Sequence, residues 1–127
     1  MNSAVCIIFD NDNRILFLKR PHEDRTLPNM FCLPGGKKDE ITETLEDCMI
    51  REVKEETNLD LHSFSIKLVA IVKHIGFYTA TAVDLDKLKI SNEHESYKFV
   101  SDLDSIDIAP ITKYVVSEFL NNNYNAG

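Results

Sequence analysis

The chain has little of what would tie it to several large classes of protein. Its three cysteines, Cys6, Cys32 and Cys48, are odd in number, widely spaced and free of any C-x-x-C pair. That suits neither a disulfide framework nor a zinc site, and leaves them as reduced thiols in or near the core. Basic charge is scarce, with 14 Lys and Arg against 21 Asp and Glu and a formal net charge of -7. Broad binding to nucleic-acid backbones, which rests on clustered cations releasing counterions, is excluded on that ground. No apolar run is long enough to span a bilayer, and the start, MNSAVCIIFDND, has neither a basic region nor a long apolar stretch. A cytoplasmic protein without membrane contact is expected. Internal repeats and linkers are lacking too, and 127 residues amount to one domain, 1–127.

What is present is an ordinary globular composition, 43% hydrophobic and 28% charged, which sets disorder aside. Residues 4–9 and 14–19 are apolar runs flanking the turn-forming stretch 10–13, the pattern of a β-hairpin. The polar stretch 20–29 holds Pro21 and Pro28 and is loop, long enough for a connector to point to use. Residues 31–33 form one short strand before Pro34-Gly35-Gly36. Thr42 or Thr44 caps a helix over 45–57, which contains neither Pro nor Gly, and Asn58 suits the left-handed position at its end. The β-branched content of 64–75, a turn at Gly76 and Phe77, and alternation over 78–85 predict a second hairpin, followed by a last short strand at 97–100. Pro110 opens a closing helix with Ile111, Tyr114, Val115, Glu118 and Phe119 at helical spacing. Strands on both sides of a central helix, plus a terminal helix, predict a mixed α/β domain.

The central helix is built against its own electrostatics. At about 100° per residue, Glu52, Glu55 and Glu56 share an arc of roughly 100° with Leu45, Cys48 and Met49 from the preceding turns, so the acids sit over the apolar stripe. Like charges at i, i+3 and i+4 repel, acids at a helix C-terminus oppose the macrodipole, and partial burial desolvates them. An isolated E-x-x-E-E is most often a solvated helix face. Here Gly35 and Gly36 allow close backbone approach to a ligand and Arg51 stands beside the first acid, so a compensating cation is expected. Hard ions such as Mg²⁺ or Mn²⁺ take carboxylate oxygens and keep positions open for water and phosphate.

With those residues in view, the segment resembles the Nudix box of the Nudix hydrolase superfamily, G-x5-E-x7-R-E-U-x-E-E-x-G-U, where U is a bulky aliphatic. Gly36, Glu43, Arg51, Glu52, Val53, Glu55, Glu56 and Leu59 fill its fixed positions. Two departures stand out. Six residues, Lys37 to Thr42, separate Gly36 from Glu43 where the pattern has five, and Asn58 replaces the box glycine. Asn is the next best residue for a left-handed cap, and neither departure touches the Arg and Glu set.

The resemblance, to a small MutT-like member, implies a Nudix fold with a mixed β-sheet sandwiched between α-helices. It implies that Glu52, Glu55 and Glu56, helped by the carbonyl of Gly35, hold Mg²⁺, with Mn²⁺ able to substitute. Arg51 would orient Glu52 or stabilise charge, Glu43 would brace Arg51, and Gly36 would be structural. Glu52 or Glu93 would take the proton of the attacking water. Glu93 is the candidate for an extra acid that the family often supplies beyond the central strands, with Glu95 in reserve. Arg20, Arg25 and Lys37 are candidate binders of substrate phosphate.

The implied activity is hydrolysis of a diphosphate linkage in a nucleoside diphosphate joined to another group. Nucleoside triphosphates, ADP-ribose-like nucleotide sugars and dinucleoside polyphosphates are the small-molecule substrates in view. The spacing of Arg20, Arg25 and Pro34-Gly35-Gly36 is also similar to the coenzyme A pyrophosphatase signature, although Leu18, Pro21, Asn29 and Leu33 depart from it. A further alternative is a nucleotide-sensing module on the same fold that no longer turns over. His22 and His94 are read as surface histidines, and the aromatics as core.

Overall fold

The computed structural model of the protein describes residues 2–21, 28–38, 43–81 and 83–126. Strand β1 (Ser3–Ile8) and strand β2 (Ile15–Lys19) are the two centres about which the rest is arranged. The remaining strands are β3 (Phe31–Cys32), β4 (Gly35–Lys37), β5 (Ile66–Val72), β6 (Ile75–Ala80) and β7 (Ser96–Val100). They form a four-stranded sheet in the order β4-β1-β6-β5 and a three-stranded sheet in the order β3-β2-β7. In the larger sheet β1 runs parallel to β6 and antiparallel to β4, so the sheet is mixed.

The strand sequences explain this. Ala4, Cys6 and Ile8 of β1 join a core with Cys48, Met49 and Val53 of helix α1 (Leu45–Thr57), whereas Ile7 joins a second core with Val115 and Val116 of helix α2 (Pro110–Ala126). Strand β2 divides in the same way, Leu16 and Leu18 entering the first core and Ile15 and Phe17 the second. Strands buried on both faces read as continuous apolar runs rather than alternating ones. The larger sheet therefore lies between α1 and α2, as the resemblance implied.

The first expected hairpin is corrected. Its turn exists, with Asp10 Oδ1 accepting from the amides of Asp12 (2.9 Å) and Arg14 (2.8 Å). Beyond a single bridge between Phe9 and Ile15, however, the two strands part into different sheets. Each has both edges taken by partners from elsewhere in the chain, β4 and β6 for β1, β3 and β7 for β2. A one-dimensional pattern carries no information about such partners.

The second hairpin is real but turns three residues early. Lys73 and His74, at φ 48° and 69°, make the turn between β5 and β6, not Gly76 and Phe77. Gly76 lies inside β6, opposite Ala4, where an added Cβ would come 2.5 Å from Leu45 Cδ2 of α1. This glycine serves the close approach of helix to sheet, not a positive φ.

Helix α1 begins and ends as expected. Thr44 caps it, its Oγ1 accepting from the amide of Asp47 at 3.0 Å, while Thr42 lies outside the described residues. Asn58 adopts the left-handed conformation at φ 63° and its amide donates to the Lys54 carbonyl at 2.9 Å. Among the described residues, no helix is long and apolar enough to cross a membrane.

Candidate active site

The last turn of α1 is tied to a distant part of the chain. Carbonyl groups at a helix C-terminus lack partners within the helix. Here the carbonyl of Glu56 accepts from the Ser91 amide (2.9 Å) and that of Thr57 from the Lys89 amide (3.0 Å). The side-chain amide of Asn58 donates to the Lys87 carbonyl at 3.0 Å. Residues 87–91 are thereby docked on the helix end, and the loop carrying Glu93 and His94 is delivered beside Glu56. The replacement of the box glycine by Asn thus adds a contact that glycine lacks.

Arg51 organises the acids on the adjacent turn. Its Nε and Nη2 donate to the two carboxylate oxygens of Glu43 at 2.7 and 3.1 Å, a fork-to-fork pair. Its Nη1 donates to Glu52 at 2.9 Å and, more weakly, to Glu55 at 3.4 Å. The hydrogen bonds from Glu43 first, then Glu52, raise the Arg51 pKa further, so its charge is permanent. The extra residue between Gly36 and Glu43 leaves Glu43 within reach of Arg51.

The three helix acids, alike in the sequence pattern, occupy three environments. Glu55 is exposed at the rim, Glu52 is half-buried, and Glu56 is buried. Glu56 Oε1 accepts from the Gly35 amide at 2.8 Å. Burial pushes the Glu56 pKa up to about 8, the Gly35 amide works against this, and the charges of Glu52 and Glu93 add to it.

A cleft of about 540 Å³ opens over these groups. Glu52, Glu56 and Glu93 line it together with Gly35, Gly36, Arg20 and Lys37, so anionic and cationic candidates meet in one space. Glu55 and Glu95 are not among its lining residues; Glu95 is held at the β2 edge, its carboxylate 3.5 Å from Lys19 Nζ. Arg25 and His22 lie outside the described residues.

His94 departs from its expected place on the surface. Its side chain is 8% exposed, lines the cleft, and brings Nε2 to 3.9 Å from Glu56 Oε2 and 3.8 Å from Cys32 Sγ. Nothing in the local sequence marks it except its place beside Glu93, because its neighbours come from α1 and β3.

The residues present fit a hard divalent cation. Glu56 feels the charges of Glu52 and Glu93 in a partly dry cleft, and an oxygen-rich set of mutually repelling carboxylates is relieved by such an ion. Among the described residues no three His, Cys, Asp or Glu side chains already form a ligand cluster, in keeping with Glu52 and Glu55 both being turned toward Arg51.

Comparison with known proteins bears on the family and the fold. A family profile described as NUDIX domain matches residues 1–117. The chain is 45% identical over 56 residues to the ADP-ribose pyrophosphatase of Methanocaldococcus jannaschii, 44% of this chain and 31% of that one. It is 40% identical over 58 residues to the NAD-capped RNA hydrolase NudC of Vibrio atlanticus, 46% of this chain and 20% of that one. It thus spans under a third of the length of these curated relatives. A solved structure of MutT, described for Aliivibrio salmonicida and Vibrio cholerae, superimposes with a TM-score of 0.73 at 23% identity, covering 92% of this chain and 97% of that one, a likeness of fold.

Proposed function

This chain belongs to the Nudix family, and from that premise we propose that it is a Mg²⁺-dependent pyrophosphohydrolase. It cleaves the diphosphate linkage of a small nucleotide in which a nucleoside diphosphate is joined to another group, and residues 1–127 act as one domain. The observation that carries this is the convergence, in one cleft, of Glu52 held by the Arg51–Glu43 fork, buried Glu56 and loop acid Glu93. Glu52, Glu56, the Gly35 carbonyl and, from the rim, Glu55 are the groups that would hold the ion. A divalent ion there supplies charge neutralisation of the diphosphate and a more acidic attacking water.

The chain's own residues do the rest. Arg20 and Lys37 bind phosphate oxygens at the cleft. Glu52 or Glu93 accepts the proton of the attacking water, and Arg51 fixes the Glu52 carboxylate while Glu43 fixes Arg51. Two phosphorylated products leave.

The test is chromatography of products after incubation with Mg²⁺ and a panel of ADP-ribose, dinucleoside polyphosphates, coenzyme A, and canonical and oxidised nucleoside triphosphates. ADP-ribose heads the panel because a relative bears the name of an ADP-ribose pyrophosphatase. Metal-dependent products from one class support the proposal and name the substrate. Nucleotide binding without products from any class overturns it in favour of a sensing module.

Gly36 offers a sharper check. An added Cβ there would lie 2.5 Å from the Glu52 carboxyl, the movable end of a side chain rather than backbone. Gly36→Ala is expected to fold, with stability within about 1 kcal/mol of the parent, and to lose activity about 10–100-fold by displacing Glu52. Unfolding midpoints and kcat measured together separate this from a purely structural effect, in which stability would fall and activity per folded molecule would not.

A further inference from the structure

We infer that His94 is a positioning residue for Glu56, coupling that acid to the loop that carries Glu93. The kinetic half of the inference rests on the proposed hydrolase activity; the binding half does not.

The loop is fastened at both ends, by the Ser91 amide on the Glu56 carbonyl and by the Glu95 amide on the Lys19 carbonyl, each at 2.9 Å. Between those anchors the two side chains diverge, Glu93 exposed and His94 turned inward. The ring nitrogen that approaches Glu56, Nε2, also lies beside the Cys32 thiol, which itself donates to the Leu18 carbonyl at 3.6 Å. Its Nε2 meets Glu56 Oε2 on one side of the carboxyl while the Gly35 amide holds Oε1 on the other. A glutamate side chain has three rotatable torsions, and a single hydrogen bond leaves it free to pivot about that bond. At 3.9 Å the ring stands beyond hydrogen-bond distance, yet it packs against the second oxygen and restricts that pivot, and because it comes from the loop bearing Glu93 it links the two acids. Partners that orient a ligating or reacting group from behind control affinity and rate without touching the substrate.

The test compares His94→Leu with His94→Gln, whose amide nitrogen reaches toward the place of Nε2, and His94→Asn, whose amide falls short of it. Three quantities are read on the full chain: Mn²⁺ binding without nucleotide, by electron paramagnetic resonance, and kcat and KM with the substrate that the nucleotide panel identifies. His94→Leu and His94→Asn are expected to weaken Mn²⁺ binding and lower kcat, each by about 10–100-fold, with KM nearly unchanged. His94→Gln is expected to recover most of both. Wild-type Mn²⁺ affinity or tighter in His94→Leu overturns the inference. So does His94→Gln no better than His94→Asn, a comparison that serves even if the Leu variant fails to fold. Mn²⁺ binding that depends on His94 in a protein without turnover sinks the hydrolase proposal and leaves the inference standing. Turnover that is indifferent to His94 does the reverse, and a wild-type protein that binds no Mn²⁺ sinks both.

Discussion

Replacing Glu52 with Gln is expected to leave the fold intact and to cut kcat by about a thousandfold. The fold should survive because the change is isosteric and the Gln carbonyl still accepts from Arg51 Nη1, which sits 2.9 Å away in the parent. Arg51 keeps its fork on Glu43 in either case. What disappears is a negative charge in the cleft and a group able to take a proton. The check is kcat at saturating Mg²⁺ and nucleotide, alongside a thermal melt by circular dichroism. A loss smaller than about tenfold would exclude Glu52 as the proton acceptor, and Glu93→Gln would then become the decisive variant.

Without divalent cations, the protein is expected to lose stability steadily as pH rises from about 4.5 to about 8, and Glu56 is the cause. Its folded pKa lies near 8 and its ordinary value is 4.5. Between the two, the folded state holds a proton that the unfolded state has released, so raising pH favours unfolding. The contribution is fully present below about 4.5 and is gone above about 8. At about 1.4 kcal/mol per pH unit it sums to at most a few kcal/mol. Urea unfolding across this range, comparing the parent with Glu56→Gln, isolates the effect because the other carboxylates are common to both. The variant should lack this part of the slope and be the more stable of the two at about pH 8 in EDTA. Added Mg²⁺ should restore the parent there, a cation taking over from the proton, and should do little for the variant. Equal slopes in parent and variant would mean that Glu56 is already ionised in its site, and burial would not be governing it.

Features that depend on residues close together along the chain are legible in the sequence. Helix α1 is marked by Thr44, by thirteen residues without Pro or Gly, and by Asn58, all of which act through the chain's own backbone within a few positions. Helix α2 announces itself through Pro110 and the helical spacing of its apolar residues. The grouping of Glu52, Glu55 and Glu56 beside Arg51 follows from helical geometry alone. The misplaced turn at Gly76 comes from the same kind of inference applied where a long-range contact has the stronger claim. Glycine is the usual choice for positive φ, but this one is needed because Leu45 presses on β6.

The sequence by itself determined the family signature, the extent of α1, the start of α2 and the set of helix acids, because each depends on 3.6-residue periodicity or on end-capping over a few residues. Only the tertiary structure decided that β1 and β2 belong to different sheets, since strand partners are chosen by hydrogen bonding and burial across the whole chain. It also decided that the three helix acids are unequal, because the burial of Glu56 depends on Gly35 and His94, which arrive from β4 and the loop before β7. Desolvation and charge act through space. A pattern along the chain names the groups, and the packing of distant segments sets which of them is dry, which is held, and which is left at the rim.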